Sequence, residues 1–150
     1  MSRQGLKIAT ERANTLPTFE SITDARRILF EFRDASLSDL LSSVGTALDL
    51  DFSPPSLLRL ERWYFEDAAR ETTAKERAAV LGIGFYFGEM LCRNASWIWE
   101  VTESVFGPGR FEIGISNGQV SFMLTNGMPP QPVANKRMQN LWRTYCRYAS

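Results

Sequence analysis

Between residues 73 and 101 the chain changes its hydrophobic period, and that change limits the fold more than any other feature. The stretch "TAKERAAVLGIGFYFGEMLCRN" contains no proline and carries one acid, Glu89, in its apolar half. It reads as one long helix from Thr73 to Arg93, stopped by Asn94. Thr73 and Glu76 have capping-box spacing, in which each side chain reaches the other's backbone N–H. From Trp97 the period falls from about 3.6 to 2. Trp97, Trp99 and Val101 then face one way, and Ile98, Glu100 and Thr102 the other.

Gly84 and Gly88 lie one turn apart in the long helix, and each costs about 1 kcal/mol relative to alanine. Close approach by another backbone is the usual compensation, so this groove is expected to receive a strand or helix, flanked by Leu81, Phe85 and Leu91. Beyond the strand at Trp97, "GPG" at 107–109 breaks the chain, and Phe111, Ile113 and Ile115 alternate again. "NG" at 117–118 is a hairpin signal leading to Val120, Phe122 and Leu124. A three-stranded, or larger, antiparallel meander follows. "NGMPPQP" then forces an irregular loop, and Ala134, Met138, Leu141, Tyr145 and Tyr148 mark a closing helix.

Upstream, Ile22, Ala25, Leu29 and Phe32 form a helical stripe, and "SLSDLLSSVGTALDLDF" reads as a short helix and a loop. Ser53 stands where an N-cap belongs, ahead of Pro54 in the first turn and of Leu57, Leu60 and Tyr64. Helices, a meander and one closing helix make the class α+β. Residues 1–17 read as a short helix or mobile arm, and 18–150 as a single domain. The length of 150 residues suits one core without staples.

Histidine is absent, which removes the usual serine and cysteine nucleophile systems, histidine acid/base catalysis and nearly every zinc site. No Walker lysine or calcium loop is present, and "GIGFYFG" has the wrong spacing and context for a dinucleotide loop. No cofactor or metal is expected. Seventeen basic and seventeen acidic residues cancel, leaving no field for a phosphate backbone, so nucleic acid is not an expected partner. No apolar run is long enough to span a bilayer and no export signal is apparent, so a cytoplasmic protein is expected. Cys92 and Cys146 sit in apolar helical runs and suit a reducing compartment, with a disulfide between them left open.

Carboxylate chemistry survives this elimination. Glu89 and Glu100, with Glu103 and Glu112 nearby in sequence, could form a paired-acid hydrolase site. The competing reading of Glu89 is structural: it accepts from Arg93 one turn on, from a tryptophan N–H or from a strand amide. The charge is also uneven, with an acid-rich middle and a basic tail. Trp63, Tyr64 and Phe65 are consecutive on a helix, span about 200° and cannot all face one core. At least one should emerge beside Glu61, Glu66 and Asp67, the composition of a protein-binding hot spot. Asp49, Asp51, Glu61, Trp63, Tyr64, Glu66 and Asp67 are therefore the candidate partner-binding residues, and no catalytic residue is assigned.

"LDFSPPSLLRLERW", then "GFYFGEMLCRNASWIW", a short meander and "NGMPPQPVANKRMQNLW" resemble a group of small bacterial cytoplasmic proteins of unassigned biochemistry. In that group an "LDxSPxSLxxLE" helix precedes a "GxYxGExxxR" helix and a tryptophan strand. The likeness covers about residues 48–142, through Asp51, Ser53, Pro54, Ser56, Leu57, Leu60, Glu61, Gly84, Tyr86, Gly88, Glu89, Arg93 and Trp97. Gly84, Gly88, Glu89, Arg93 and Trp97 are its structural core. "CRNASW" departs from the glycines that the group has before the tryptophan. In size and character such proteins resemble immunity proteins kept beside secreted toxins. The resemblance implies a stoichiometric toxin binder without catalytic residues; the alternatives are a hydrolase centred on Glu89 and Glu100 or an accessory subunit of a larger assembly.

Overall fold

A computed structural model describes residues 2–70, 72–130 and 140–150. Its described residues form five α-helices and one three-stranded antiparallel sheet, the α+β class read from the pattern. The helices are α1 (Arg3–Ala13), α2 (Ile22–Leu40), α3 (Pro54–Glu66), α4 (Thr73–Asn94) and α5 (Asn140–Ala149). The strands β1 (Ile98–Glu103), β2 (Phe111–Ser116) and β3 (Ser121–Met123) are ordered as they occur in the chain.

The long helix α4 is the spine. Ile83, Phe85, Tyr86, Phe87, Met90 and Leu91 are fully buried, so it is apolar on several sides, as a helix covered all round must be. Its N-cap is Thr72, whose hydroxyl accepts from Lys75 N–H at 3.3 Å, one residue earlier than the capping-box spacing suggests. Glu76 is drawn off instead by Tyr64, whose hydroxyl donates to it at 3.0 Å.

The glycine groove is filled, but by a different occupant than a strand or helix backbone. At Gly84 a Cβ would come within 2.9–3.0 Å of the Gly127–Met128 backbone, the turn after β3, and Met128 N–H donates to Val80 C=O nearby. At Gly88 a Cβ would meet the Trp99 ring at 2.6 Å and Leu124 at 2.8 Å. The two glycines thus let a turn and the sheet's side chains sit directly on the helix.

The sheet turns Trp99, Val101, Phe111, Ile113, Ile115 and Phe122 towards the core; register pairs Ile115 with Trp99 on one side and Phe122 on the other, and Val101 with Ile113. The hairpin forms at Asn117–Gly118 as expected, with Gly118 at φ +91° and Asn117 Oδ1 accepting from Gln119 and Val120 N–H. On the other face, Arg12 of α1 pairs with Glu112 at 3.0 Å. Residues 1–17 thus include a helix, and Ala13 and Leu16 are buried.

The helix α2 runs on to Leu40 and widens into a π-helical turn at Leu41–Gly45, where a separate short helix was expected. Its buried stripe is narrower than the period suggests: Ala25 and Leu29 are buried, while Ile22 and Phe32 lie at the margin. The helix α5 buries Leu141 and Tyr145; Ala134 and Met138, also expected in that helix, lie outside the described residues. Among the described residues no helix is long and apolar enough to cross a membrane. Cys92 and Cys146 are unpaired thiols.

Candidate functional site

The residues that carry the sequence motifs converge where the 49–56 segment lies on α4. Asp49 and Phe52 both take left-handed backbone, at φ +50° and +60°, which is costly for a side-chain-bearing residue. The surroundings hold Phe52 there. Its N–H donates to Tyr86 Oη at 2.8 Å and its C=O accepts from Asn94 Nδ2 at 3.2 Å. Its ring stacks on Tyr86 with centroids 4.7 Å apart, and the Arg93 guanidinium lies 3.8 Å over it.

Beneath it Ser56 and Tyr86 are fully buried, with their oxygens 2.6 Å apart. Because the Ser56 hydroxyl donates to Ser53 C=O at 2.6 Å, the shared proton in the Ser56–Tyr86 contact comes from Tyr86. A one-way chain results, from Phe52 N–H to Tyr86 to Ser56 to the Ser53 carbonyl. Burial pushes the Tyr86 phenol up, opposed by its bonds to Ser56 and Phe52. Ser53 stands at the N-cap of α3 but does not cap it; its hydroxyl donates to Asp51 Oδ1. Those bonds from Ser53, with a smaller contribution from Arg59, hold the Asp51 carboxyl below its ordinary value.

Glu89 uses both oxygens within the fold. Oε1 accepts from Arg93 Nε at 2.9 Å, and Oε2 from Trp99 Nε1 at 3.0 Å. Glu100, the next residue along β1 from Trp99, projects to the opposite face of the sheet and accepts from Ser121 Oγ at 3.3 Å. The two acids are therefore not brought together. Glu103 accepts from Gly109 N–H at 2.8 Å, and Glu112 pairs with Arg12. Each of the four carboxylates has its own local partner.

The seven residues expected at a partner-binding face separate. Glu61 is fully buried and Tyr64 is 6% exposed, so neither is available as a surface contact. Glu61 instead caps α5, accepting from Asn140 N–H at 3.0 Å and Leu141 N–H at 2.8 Å. Burial raises its pKa, and those two bonds oppose the rise. Tyr64 is also raised, first by burial and then by Glu76. Asp49 and Asp51 flank Arg59, which donates to the carbonyls of Leu48 and Asp49. Trp63, Glu66 and Asp67 remain at the surface, with Trp63 half-buried and both acids exposed.

Trp63 stands between two shallow grooves. The larger, about 330 Å³, is walled by Leu40, Ala68, Ala78 and Ala79, with Asp39, Ser43, Asp67 and Lys75 at its edge. The smaller, about 190 Å³, lies between Trp63 and the Arg59, Arg62 and Glu66 side of α3. Asp39, Ala78 and Ala79 had not been singled out from sequence, because they come from α2 and α4 and only the tertiary fold places them beside Trp63. Among the described residues every buried side-chain nitrogen and oxygen has a partner.

A family model described as "Uncharacterised protein YwmA" matches residues 18–149. The chain belongs to that family. Within the YwmA match fall α2 to α5, the three strands, the Phe52–Tyr86–Ser56 network and both grooves at Trp63; α1 lies outside it. Neither curated proteins nor solved structures show a significant match.

Proposed function

We propose that this YwmA-family chain is a non-enzymatic protein-binding module, and that it serves as a cytoplasmic immunity protein that binds and neutralises a cognate bacterial toxin or effector. The observation that carries this reading is Trp63, a half-exposed indole between two grooves with exposed acids around it. A surface tryptophan that is partly desolvated and rimmed by polar groups is the composition of a binding hot spot. The reading is supported by Glu89 and Glu100 facing apart, and by the motif polar groups being used up in bonds to one another.

Affinity capture of the tagged chain, co-expressed with the product of the neighbouring gene, tests it. The expected result is co-elution at a fixed ratio and protection of cells from that product. Trp63→Ala should weaken both, and Glu100→Gln should change neither. No retained partner together with no protection overturns the proposal. Catalytic turnover lost in Glu100→Gln would replace it with a hydrolase.

A further inference from the structure

We infer that the larger groove beside Trp63 takes an apolar side chain from a basic partner segment, with arginine or lysine on either side of that anchor. This rests on the protein-binding reading above and specifies what the partner must present. The groove is open at the surface and mainly apolar, lined by Leu40, Ala68, Ala78, Ala79 and the Trp63 ring, with Asp39, Ser43, Asp67 and Lys75 as its polar lining. Burying a leucine-sized side chain against such walls is favourable whatever its sequence context.

Charge selects the context. Asp39 and Asp67 stand at the edge of this groove and Glu66 at the edge of the adjoining one. All three are exposed, and among the described residues none forms an ion pair. The neighbouring cations are largely committed. Lys75 is already engaged within the fold, and Arg59 is held by two carbonyls and by Asp49 and Asp51. Of the cations lining the two grooves, Arg62 is the one with no ion pair among the described residues, against three such carboxylates, so the rim favours incoming cations and disfavours acids. A partner with an acidic flank would meet like charge at the rim.

Fluorescence polarisation with labelled hexapeptides tests this without knowledge of the natural partner. The probe is Arg-Arg-Leu-Leu-Arg-Arg; the comparisons replace its leucines by serine or its arginines by glutamate. The basic leucine peptide should bind saturably at low salt, at least about tenfold more tightly than either comparison, a difference that separates a shaped site from general attraction. Ala78→Trp fills the groove from an exposed position on α4 and should weaken that peptide by about tenfold or more. Asp39→Lys with Asp67→Lys should do the same while leaving the melting temperature of the chain unchanged.

Equal binding of the serine or glutamate peptide, indifference to Ala78→Trp, or no saturable binding of the basic leucine peptide each overturns the inference. The full chain separates this failure from that of the wider reading. If Ala78→Trp still captures a protein partner and still protects, the groove is not the contact and the binding function stands. If the unmodified chain captures nothing and protects nothing, the function itself fails.

Discussion

Removing the Glu61 carboxylate should loosen α5 from the rest of the protein, and its geometry sets the magnitude. Glu61→Ala leaves the N–H groups of Asn140 and Leu141 without their acceptors, and Leu141 is only 1% exposed. An orphaned buried donor costs about 1–3 kcal/mol, and loss of a helix cap typically about 1 kcal/mol. A loss near 3 kcal/mol is expected, or a fall in Tm of roughly 6–12 °C for a chain of this size. Glu61→Gln keeps one acceptor oxygen and should lose about 1 kcal/mol.

The pH dependence gives an independent sign. Burial raises the Glu61 pKa in the folded chain above its unfolded value. Its titration therefore contributes stability that is complete below the unfolded pKa and is lost as pH rises through the folded one. The stability difference between the native chain and Glu61→Gln should widen as the solution is acidified through that window. Urea unfolding at several pH values measures both effects. A Glu61→Ala variant within 0.5 kcal/mol of the parent would refute the capping argument, and a difference that narrows on acidification would refute the dominance of burial over the two cap bonds in setting the Glu61 titration.

Tyr86→Phe should destabilise the fold by about 1–3 kcal/mol in urea unfolding, because Phe52 N–H loses its acceptor and Ser56 its donor in a buried site. Gly88→Ala should lower Tm despite the gain in helix propensity of about 1 kcal/mol, since the added methyl meets the Trp99 ring at 2.6 Å and overpacking costs about 1–3 kcal/mol. The Cys92 thiol is pushed up to about 12, first by burial and then by Glu89. At pH 8 a thiol reagent should therefore label the exposed Cys146 quickly and Cys92 only on unfolding, read by mass spectrometry.

Legibility from sequence followed the range of the interactions. The long helix, the Asn117–Gly118 hairpin, the strand alternation and the need for a partner at Gly84 and Gly88 are set by neighbours along the chain. Glu89 bonding to Arg93 and to a tryptophan was within reach for the same reason. The caps at Ser53 and Thr73 went wrong by small local choices: Asp51 competes for the Ser53 hydroxyl, and Thr72 takes the cap.

Glu61 was misplaced because its acidic neighbours suggested a solvated rim. Its spacing held the missed signal: it lies four residues after Leu57 and three before Tyr64, on the apolar stripe of α3. The walls of the groove at Trp63 could not be read at all, since Asp39 and Ala78 meet Trp63 only through the packing of α2, α3 and α4.

The span of the Glu61 bonds sets a timetable for assembly. Its partners lie 79 and 80 positions further on, so during synthesis α3 must wait with a hydrated acid on the side it will later conceal. The hairpin of β2 and β3 and its seat on α4 involve much shorter loops and can close first. Docking of α5 then becomes the final step, and pulse-labelled amide exchange should find protection at Asn140 and Leu141 arriving after that of β2; simultaneous protection would show that the buried acid imposes no order.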